Sequence, residues 1–474
     1  MKLPWFHCCR GKFRLFGHYV HSQFLLLALV EFLALASVTY LSLEYLYPLV
    51  SGHPTSVVWK EILLASAALV LGITSLGLYD VRQRERFSGI AFRMAGAFIF
   101  TTAFLWIYYH FQSNHSWNNP QYLMFSATAL VTLTLVRTLF YRYVDGKRLM
   151  RRTLVLGTGK RASYIDRLRR KADKRGFQLV GFVAPKSCQH IYVDAEKIIN
   201  TGKDFCPFAL KNRVDEIVIA LDDRRQKLPL DELLDCRMSG VDIIDAIDFL
   251  ERERALIHLD LVQPGWLIHA DGFKLNLWRA LLKRTFDIVA SSLLLLLSSP
   301  FSLLTALAIW IESGGKGPIF YRQERVGLND QPFEVIKFRS MRTDAEADGQ
   351  AQWAKENDPR VTRVGEVIRK YRLDEIPQLW NVLRGDMSLV GPRPERPEFA
   401  QRLNRVNPLY RERHRVKPGL TGWAQLSYPY GSSDEDAMRK LEYDLYYIKN
   451  RTLFFDFYIL VQTVEVVLFR KGSR

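Results

Sequence analysis

Two adjacent carboxylates set among arginines are the residues best suited to chemistry in this sequence: Asp374 and Glu375, within Arg369-Lys-Tyr-Arg-Leu-Asp-Glu-Ile-Pro-Gln-Leu-Trp-Asn-Val-Leu-Arg384. Carboxylates beside guanidinium groups suit phosphate, because the acid supplies a nucleophile or a metal ligand while the arginines neutralise phosphoryl oxygens. Further on, Gly391-Pro-Arg-Pro394 presents Arg393 between Pro392 and Pro394, which limit its backbone freedom. Pro377 suits the first turn of a helix and Gly385 the position just past its end, which predicts a helix over about Ile376–Arg384 with both acids at its N-terminus. Neighbouring helix residues point about 100° apart, so Asp374 and Glu375 cannot share one geometry and have different roles. A plain reading of Asp374 as an N-cap, worth about 1 kcal/mol, stands beside the chemical one.

These residues need a scaffold and a location. The chain has 474 residues and a formal net charge of +17, enough for about two to four domains and pointing to anionic partners. Nucleic acid, the inner membrane leaflet and phosphorylated substrates are the candidates; long apolar runs decide for the membrane and against nucleic acid. Five cysteines, Cys8, Cys9, Cys188, Cys206 and Cys236, form no CxxC spacing, and their odd number argues against a disulfide framework. A reducing cytoplasmic face fits. Cys8 and Cys9 read as palmitoylation sites or as two plain buried thiols.

Residues 1–23 form a basic N-terminus, and 24–145 hold four apolar segments, about Phe24–Val50, Val57–Leu78, Ser88–Phe111 and Tyr122–Phe140. Each is near the roughly 20 residues that cross a bilayer as a helix. Lys2, Arg10, Lys12 and Arg14 precede the first; Arg82, Arg84 and Arg86 follow the second; Arg142, Lys147, Arg148, Arg151 and Arg152 follow the fourth. The loops Gly52–Ser56 and Gln112–Gln121 carry no Lys or Arg, so both ends of the bundle are expected in the cytoplasm. Glu31, Glu44 and Arg93 are expected inside the bundle or at its interfaces.

Thr153-Leu-Val-Leu-Gly157-Thr-Gly159-Lys-Arg-Ala162 reads as a strand entering a GxGxxA turn and a helix, the geometry of a dinucleotide-binding turn. Further strands are predicted at Leu179–Val183, Glu216–Ala220 and Asp242–Ile244, giving a Rossmann-like domain over 150–265. The second of these four strands ends in Ala184-Pro185, with no carboxylate for a ribose hydroxyl, so a working NAD site is not expected. A structural or regulatory role is.

The run Ile288–Ile311 is long enough to span a membrane, yet Ser298, Ser299 and Pro300 interrupt its centre. Lys283 and Arg284 precede it, and Lys316, Arg322, Arg325, Lys337, Arg339 and Arg342 follow it. Positive charge on both sides predicts a helix-break-helix hairpin over about 288–311 that re-enters the same leaflet, with Ser299 and Pro300 at the break. The alternative is a kinked fifth span, which would put Asp374 outside. Beyond it come predicted strands at Pro318–Arg322 and Phe333–Phe338, and the apolar Leu453–Phe469, an interfacial or a core helix.

The series Lys283-Arg-Thr-Phe-Asp287, Gly317-Pro-Ile-Phe320, Gln323-Glu-Arg-Val-Gly327, Lys337-Phe-Arg-Ser-Met341, Leu373-Asp-Glu-Ile-Pro through Val390-Gly-Pro-Arg-Pro394, and Lys417-Pro-Gly-Leu-Thr-Gly-Trp423 resembles the ordered motifs of the bacterial monotopic phosphoglycosyl transferases. With four spans and a Rossmann-like domain in front, the chain is similar to their large branch, the undecaprenyl-phosphate hexose-1-phosphate transferases that begin exopolysaccharide or O-antigen units. The resemblance implies a four-span membrane α-helical bundle, a Rossmann-like α/β domain, and an α/β catalytic domain over 280–474 with a re-entrant helix-break-helix and amphipathic interfacial helices. It places the catalytic domain on the cytoplasmic face of the bacterial inner membrane.

It also implies transfer of a sugar 1-phosphate from a UDP-sugar to undecaprenyl phosphate, with release of UMP and with Mg²⁺ as cofactor. Asp374 would be the nucleophile that forms a covalent phosphosugar, and Glu375 its partner, the two together holding the metal or managing a proton. Arg369 lies at the position used for the polyprenyl phosphate, Lys337 and Arg339 in the membrane-proximal basic motif, and Arg393, flanked by Pro392 and Pro394, in the nucleotide diphosphate motif. Asp386 takes a structural or metal-shell role. A homodimer is expected.

Two stretches depart from the family pattern: Asn329-Asp-Gln331 replaces a glycine-containing turn, and Ala424-Gln-Leu-Ser-Tyr-Pro-Tyr-Gly431 replaces a Ser-Gly-Arg sequence. The second leaves the hexose open, with glucose the first expectation and galactose the second. A tethered nucleotide-sugar dehydratase or epimerase would need a Tyr-x-x-x-Lys pair downstream of the glycine turn, whereas Tyr143 and Lys147 lie upstream. A membrane-anchored assembly or sensor protein would leave Asp374 dispensable.

Overall fold

The structure is a computed structural model that describes residues 12–15, 18–51, 59–75, 78–79, 87–110, 119–143, 150–168, 176–184, 191–200, 205–222, 228–262, 277–343, 345, 358–429, 431 and 433–468. Lys2, Arg10, Arg82, Arg84, Arg86, Lys147 and Arg148 of the loop-charge argument lie outside the described residues, as do Cys8, Cys9, Cys188 and Pro185. The chain divides into two compact units, 1–15 with 19–254 and 16–18 with 255–474.

The first unit opens with β1 (Lys12–Leu15) and β2 (His18–His21), of which His18 belongs to the other unit. Four helices then occupy the four apolar segments: Ser22–Leu41, continued through a π-helical turn to Ser51, then Trp59–Ser75, Phe87–His110 and Asn119–Tyr143. Among the described residues, three helices are long and apolar enough to cross a membrane: 22–49, 120–140 and 277–312. Helix count and placement in the bundle match expectation, while spanning length is reached there by the first and fourth helices. Glu31 is fully buried, and so nearly is Arg93. Charge in an apolar interior needs a partner. Arg137 Nε donates to Glu31 Oε1 at 2.6 Å, and the Tyr79 hydroxyl donates to the same carboxylate. Glu44 sits exposed on the π-helical turn.

The Rossmann-like part is a five-stranded parallel sheet of order β5-β4-β3-β6-β7, built from β3 (Arg151–Leu156), β4 (Phe177–Val183), β5 (Ile198–Ile199), β6 (Glu216–Ile219) and β7 (Asp242–Asp245). The predicted strands are all present, and β5 is an addition too short to leave a sequence signal. Cys206 and Cys236 are buried free thiols in the core under the sheet. At the glycine turn, Asp222 Oδ2 accepts from Lys160 N at 2.7 Å and Oδ1 from Arg161 N at 2.8 Å. These amides open the helix Lys160–Asp166, where a dinucleotide phosphate would otherwise dock. A Cβ on Gly159 would lie 2.1 Å from Asp222 Oδ2, so the glycine answers to the chain's own carboxylate.

The second unit hangs on one helix, Leu277–Glu312, and here the expected break is corrected. The helix runs without interruption through Ser298, Ser299 and Pro300. Proline removes the N–H that would bond to the carbonyl four residues earlier. Ser299 Oγ donates to that carbonyl, Leu296 O, at 2.7 Å, and so replaces the lost bond and lets the helix continue. Both ends of this helix dock on the same unit. Arg284 donates to Val382 O and Leu383 O at 2.6 Å each near one end, and Glu312 Oε1 accepts from Val364 N at 3.1 Å at the other. Between them Leu293, Leu296, Leu297, Leu303 and Leu304 are exposed.

An antiparallel hairpin follows, β8 (Phe320–Val326) and β9 (Pro332–Phe338). Its turn puts Asn329 at φ 53° and Asp330 at φ 64°, which short polar side chains tolerate in place of glycine. Asp330 is fixed by Arg411 Nε at 2.6 Å and His414 Nδ1 at 2.7 Å. β10 (Ser388–Val390) pairs in parallel with β11 (Gly419–Thr421). The last helix, Leu453–Leu468, buries Phe455 and Ile459 fully, as a core helix does, while its Leu453, Phe454 and Phe457 are exposed.

Candidate active site

Asp374 and Glu375 lie on a 3-10 turn, Leu373–Glu375, entered through Arg372 at φ 55°. Ile376 and Pro377 already have helical dihedrals, and the helix Gln378–Arg384 follows. Gly385 ends it at φ 99°, where its N–H donates to Asn381 O and Val382 O. That is a left-handed cap of the kind glycine favours. The N-cap position falls to Pro377, with no side-chain cap, so the plain N-cap reading of Asp374 is set aside.

The two acids line one cavity of about 670 Å³ together with Lys337, Arg339, Arg369 and Arg393. Sequence reasoning named all six, and the fold brings them together from four separate segments. Glu375 is nearly buried and held by three cations: its Oε1 lies 2.8 Å from Arg393 Nη2 and 3.2 Å from Lys337 Nζ, and its Oε2 lies 3.5 Å from Arg372 Nη1. Asp374 is half-buried, and among the described residues its carboxylate makes no hydrogen bond or ion pair. The two roles inferred from their spacing are two environments here.

Electrostatics separates them further. Burial and the neighbouring Glu375 charge push Asp374 up to about 6, against Lys337, Arg369 and Arg393. Burial also raises Glu375, but Arg393, Lys337 and Arg372 outweigh it and hold Glu375 well below the usual carboxylate range. Burial draws Lys337 down, helped by Arg393 and Arg325 and opposed by Glu375 and Asp374. Pairs of acids whose surroundings drive them apart in this way mark sites of acid, base or nucleophilic chemistry.

The Arg393 loop is rigid because its carbonyls are taken in turn. Gly419 N donates to Pro392 O at 2.8 Å, Arg413 Nη2 to Arg393 O at 2.9 Å, Arg325 Nη1 to Pro394 O at 3.2 Å and Val326 N to Glu395 O at 2.9 Å. Pro392 and Pro394 shape this loop and do not themselves line the cavity. Ser299 and Pro300 lie away from it on the long helix. Asp386 is engaged at the helix end by Arg384 Nε at 3.5 Å and Asn381 Nδ2 at 3.4 Å, a structural place.

Sequence reasoning missed Arg325, Arg372, Arg413, Lys440 and Asp444, which also line the cavity. Arg325 and Arg372 stood inside the noted motifs and could have been found there. Arg413 and Asp444, joined at 2.9 Å, come from helical segments far along the chain with no flag of their own. Burial pushes Asp444 up to about 6 despite Arg413. Among the described residues there is no cluster of three or more His, Cys, Asp or Glu side chains able to hold a metal alone. A carboxylate with open approach, ringed by cations, can act as a nucleophile or a ligand toward an anionic group whose charge those cations offset.

Residues 278–470 match the family described as bacterial sugar transferase, and residues 74–244 match one described as CoA-binding domain. The chain is 33% identical over 377 residues to a UDP-glucose:undecaprenyl-phosphate glucose-1-phosphate transferase of Klebsiella pneumoniae, covering 78% of each chain. It is 47% identical over 195 residues, 41% of this chain and 45% of the relative, to a UDP-N-acetylgalactosamine-undecaprenyl-phosphate N-acetylgalactosaminephosphotransferase of Aeromonas hydrophila. An undecaprenyl-phosphate glucose phosphotransferase of Komagataeibacter xylinus is 33% identical over 333 residues, 69% of this chain and 61% of the relative. The match thus spans about half to three fifths of the length of the last two relatives.

Proposed function

The chain belongs to the bacterial sugar transferase family, and from that premise we propose that it transfers a sugar 1-phosphate from a UDP-sugar to undecaprenyl phosphate at the cytoplasmic face of the inner membrane. One observation carries the reading. In a single cation-lined cavity Glu375 is locked by Arg393, Lys337 and Arg372, while Asp374 is left with open approach.

Asp374 attacks the sugar-bearing phosphorus, forming an aspartyl phosphosugar and breaking the diphosphate bond, so that UMP leaves. The phosphate of the lipid then attacks the same phosphorus and restores the Asp374 carboxylate. Dividing the transfer into two steps lets UMP depart before the lipid enters. Arg369, Arg372, Lys337 and Arg393 offset the charge that would otherwise repel a carboxylate from a diphosphate. Arg393 suits the bidentate grip on phosphate that guanidinium allows.

Mg²⁺ bound jointly with a substrate diphosphate, the usual arrangement for that ion, fits Asp374, whose carboxylate is open to the cavity, whereas both Glu375 oxygens are turned to Arg393, Lys337 and Arg372. Asp374 would hold it, with Glu375 behind it rather than as a full second ligand, and it would supply further neutralisation of the phosphate oxygens. The re-entrant course of the long helix is supported by its two ends docking on the same unit with exposed leucines between.

The donor hexose is glucose or an epimer or N-acetyl analogue of it, since the names of relatives include both glucose and N-acetylgalactosamine. The test is UMP release by purified protein with UDP-sugars, Mg²⁺ and undecaprenyl phosphate. Release with one donor, lost in Asp374→Asn and on chelation of Mg²⁺, is the expected outcome. Activity that survives in Asp374→Asn would overturn the assignment.

A further inference from the structure

Beneath the Arg393 loop lies a buried polar network that the chemistry above does not use. Lys283, in the second turn of the long helix, reaches Asp456 Oδ2 at 2.8 Å and Asp287 Oδ1 at 3.1 Å. Asp456 and Asp287 are 2% and 3% exposed. Asp287 Oδ1 accepts from Leu389 N at 3.3 Å. Tyr447, itself buried, points its hydroxyl at both Asp456 Oδ1, at 2.8 Å, and Val390 O, at 3.0 Å. Leu389 and Val390 belong to β10, the strand that runs directly into Gly391, Pro392 and Arg393. Arg284, the neighbour of Lys283, grips the far end of the helix that leaves Asp374 and Glu375.

Such a network is costly to assemble. Three ionisable groups and a phenol are taken out of water, and the desolvation exceeds what their pairing returns unless geometry is close to ideal. A core of this size could be filled by apolar side chains at lower cost. Two of its contacts are instead directional hydrogen bonds to the backbone of β10, Asp287 with Leu389 N and Tyr447 with Val390 O, and Lys283 ties Asp287 and Asp456 by charge to the root of the apolar helix. A hydrogen-bonded charge fixes position more sharply than an apolar contact, which is what a guanidinium held 2.8 Å from Glu375 requires.

We propose that Lys283, Asp287, Asp456 and Tyr447 are positioning residues that register the Arg393 loop against the apolar helix, so that the donor diphosphate meets a guanidinium already in place. The inference rests on the proposed function, because it assumes that Arg393 grips the donor. None of the four lines the cavity, so their effect passes through β10. Donor affinity therefore depends on residues at the root of the apolar helix as well as on the cavity itself.

The test is a double-mutant cycle read by UDP binding, measured by titration calorimetry on the full-length protein in detergent. Tyr447→Phe removes one hydroxyl and keeps the ring. It is expected to weaken UDP binding about five- to ten-fold, the equivalent of one lost buried hydrogen bond. Arg393→Lys weakens binding by itself, and in that background Tyr447→Phe is expected to have little further effect. The same fold-loss in both backgrounds would overturn the positioning role, as would unchanged binding in Tyr447→Phe. Lys283→Arg, which keeps the charge, is expected to bind UDP as the unsubstituted chain does, whereas Lys283→Ala loses affinity. Should the unsubstituted chain bind no UDP, the proposed function fails, and this inference with it.

Discussion

Two turns in this chain carry the marks of a phosphate site, and they have opposite fates. At Gly157–Gly159 the opening helix amides are taken by Asp222, a carboxylate standing where a phosphate would stand. At Leu373–Glu375 the acid is the side chain left open, and the cations face it. The glycine turn satisfies itself, so its residues account for a fold. The Asp374 turn carries a charge that no hydrogen bond or ion pair engages among the described residues, next to a second acid that is paired three times over. A motif becomes a site where the fold leaves a group unsatisfied.

The contrast can be broken by substitution. Asp374→Asn is expected to lower UMP release by about a thousand-fold or more, as removal of a nucleophile does. Arg393→Ala should cost about a hundred-fold, the scale of one lost group that stabilises developing charge. Arg393→Lys should recover part of that, since it keeps charge without the planar fork. Steady-state rates of UMP release measure all three. If Asp374→Asn and Arg393→Ala were equal to each other and both mild, the open carboxylate would have no special place.

Acidity sharpens it next. In the proposed reaction Asp374 attacks as the carboxylate, and burial beside Glu375 raises it to about 6. Below that value the protonated fraction grows, so the single-turnover rate should fall about ten-fold per pH unit. Glu375, held low by Arg393, Lys337 and Arg372, stays ionised throughout that range and adds no second step. A rate that is flat from pH 7 to 5 would contradict the assignment.

The smallest effect is expected at the other turn. Asp222→Ala removes two exposed hydrogen bonds at a helix start, a loss of about 1 kcal/mol. That should lower the melting of the Rossmann-like unit by roughly 2–4 °C. UMP release should be unchanged. A loss of transfer in Asp222→Ala would give the glycine turn a part in the reaction that its geometry does not suggest.

Much of this was legible in the sequence where one local rule decides. Four apolar segments became four helices, and the strand at Thr153 and its glycine turn appeared as read. Gly385 capped the short helix, and the cavity gathered every charged residue named for it. Proline at 300 was misjudged, because the rule concerns the carbonyl that proline orphans and Ser299 supplies the missing donor. The partner of Glu31 was missed for a different reason. Arg137 stands 106 residues away, and no local pattern joins them. The same holds for Arg413 and Asp444, which reach the cavity only through tertiary packing.

The identity of the attacking group decides between the open carboxylate and every other account of the site. Protein incubated with UDP-sugar labelled in the hexose, without lipid acceptor, then acid-quenched and digested, should carry label on the peptide containing Asp374 in step with UMP release. Label should be absent in Asp374→Asn. UMP release with no labelled peptide, or label that persists in Asp374→Asn, would contradict it.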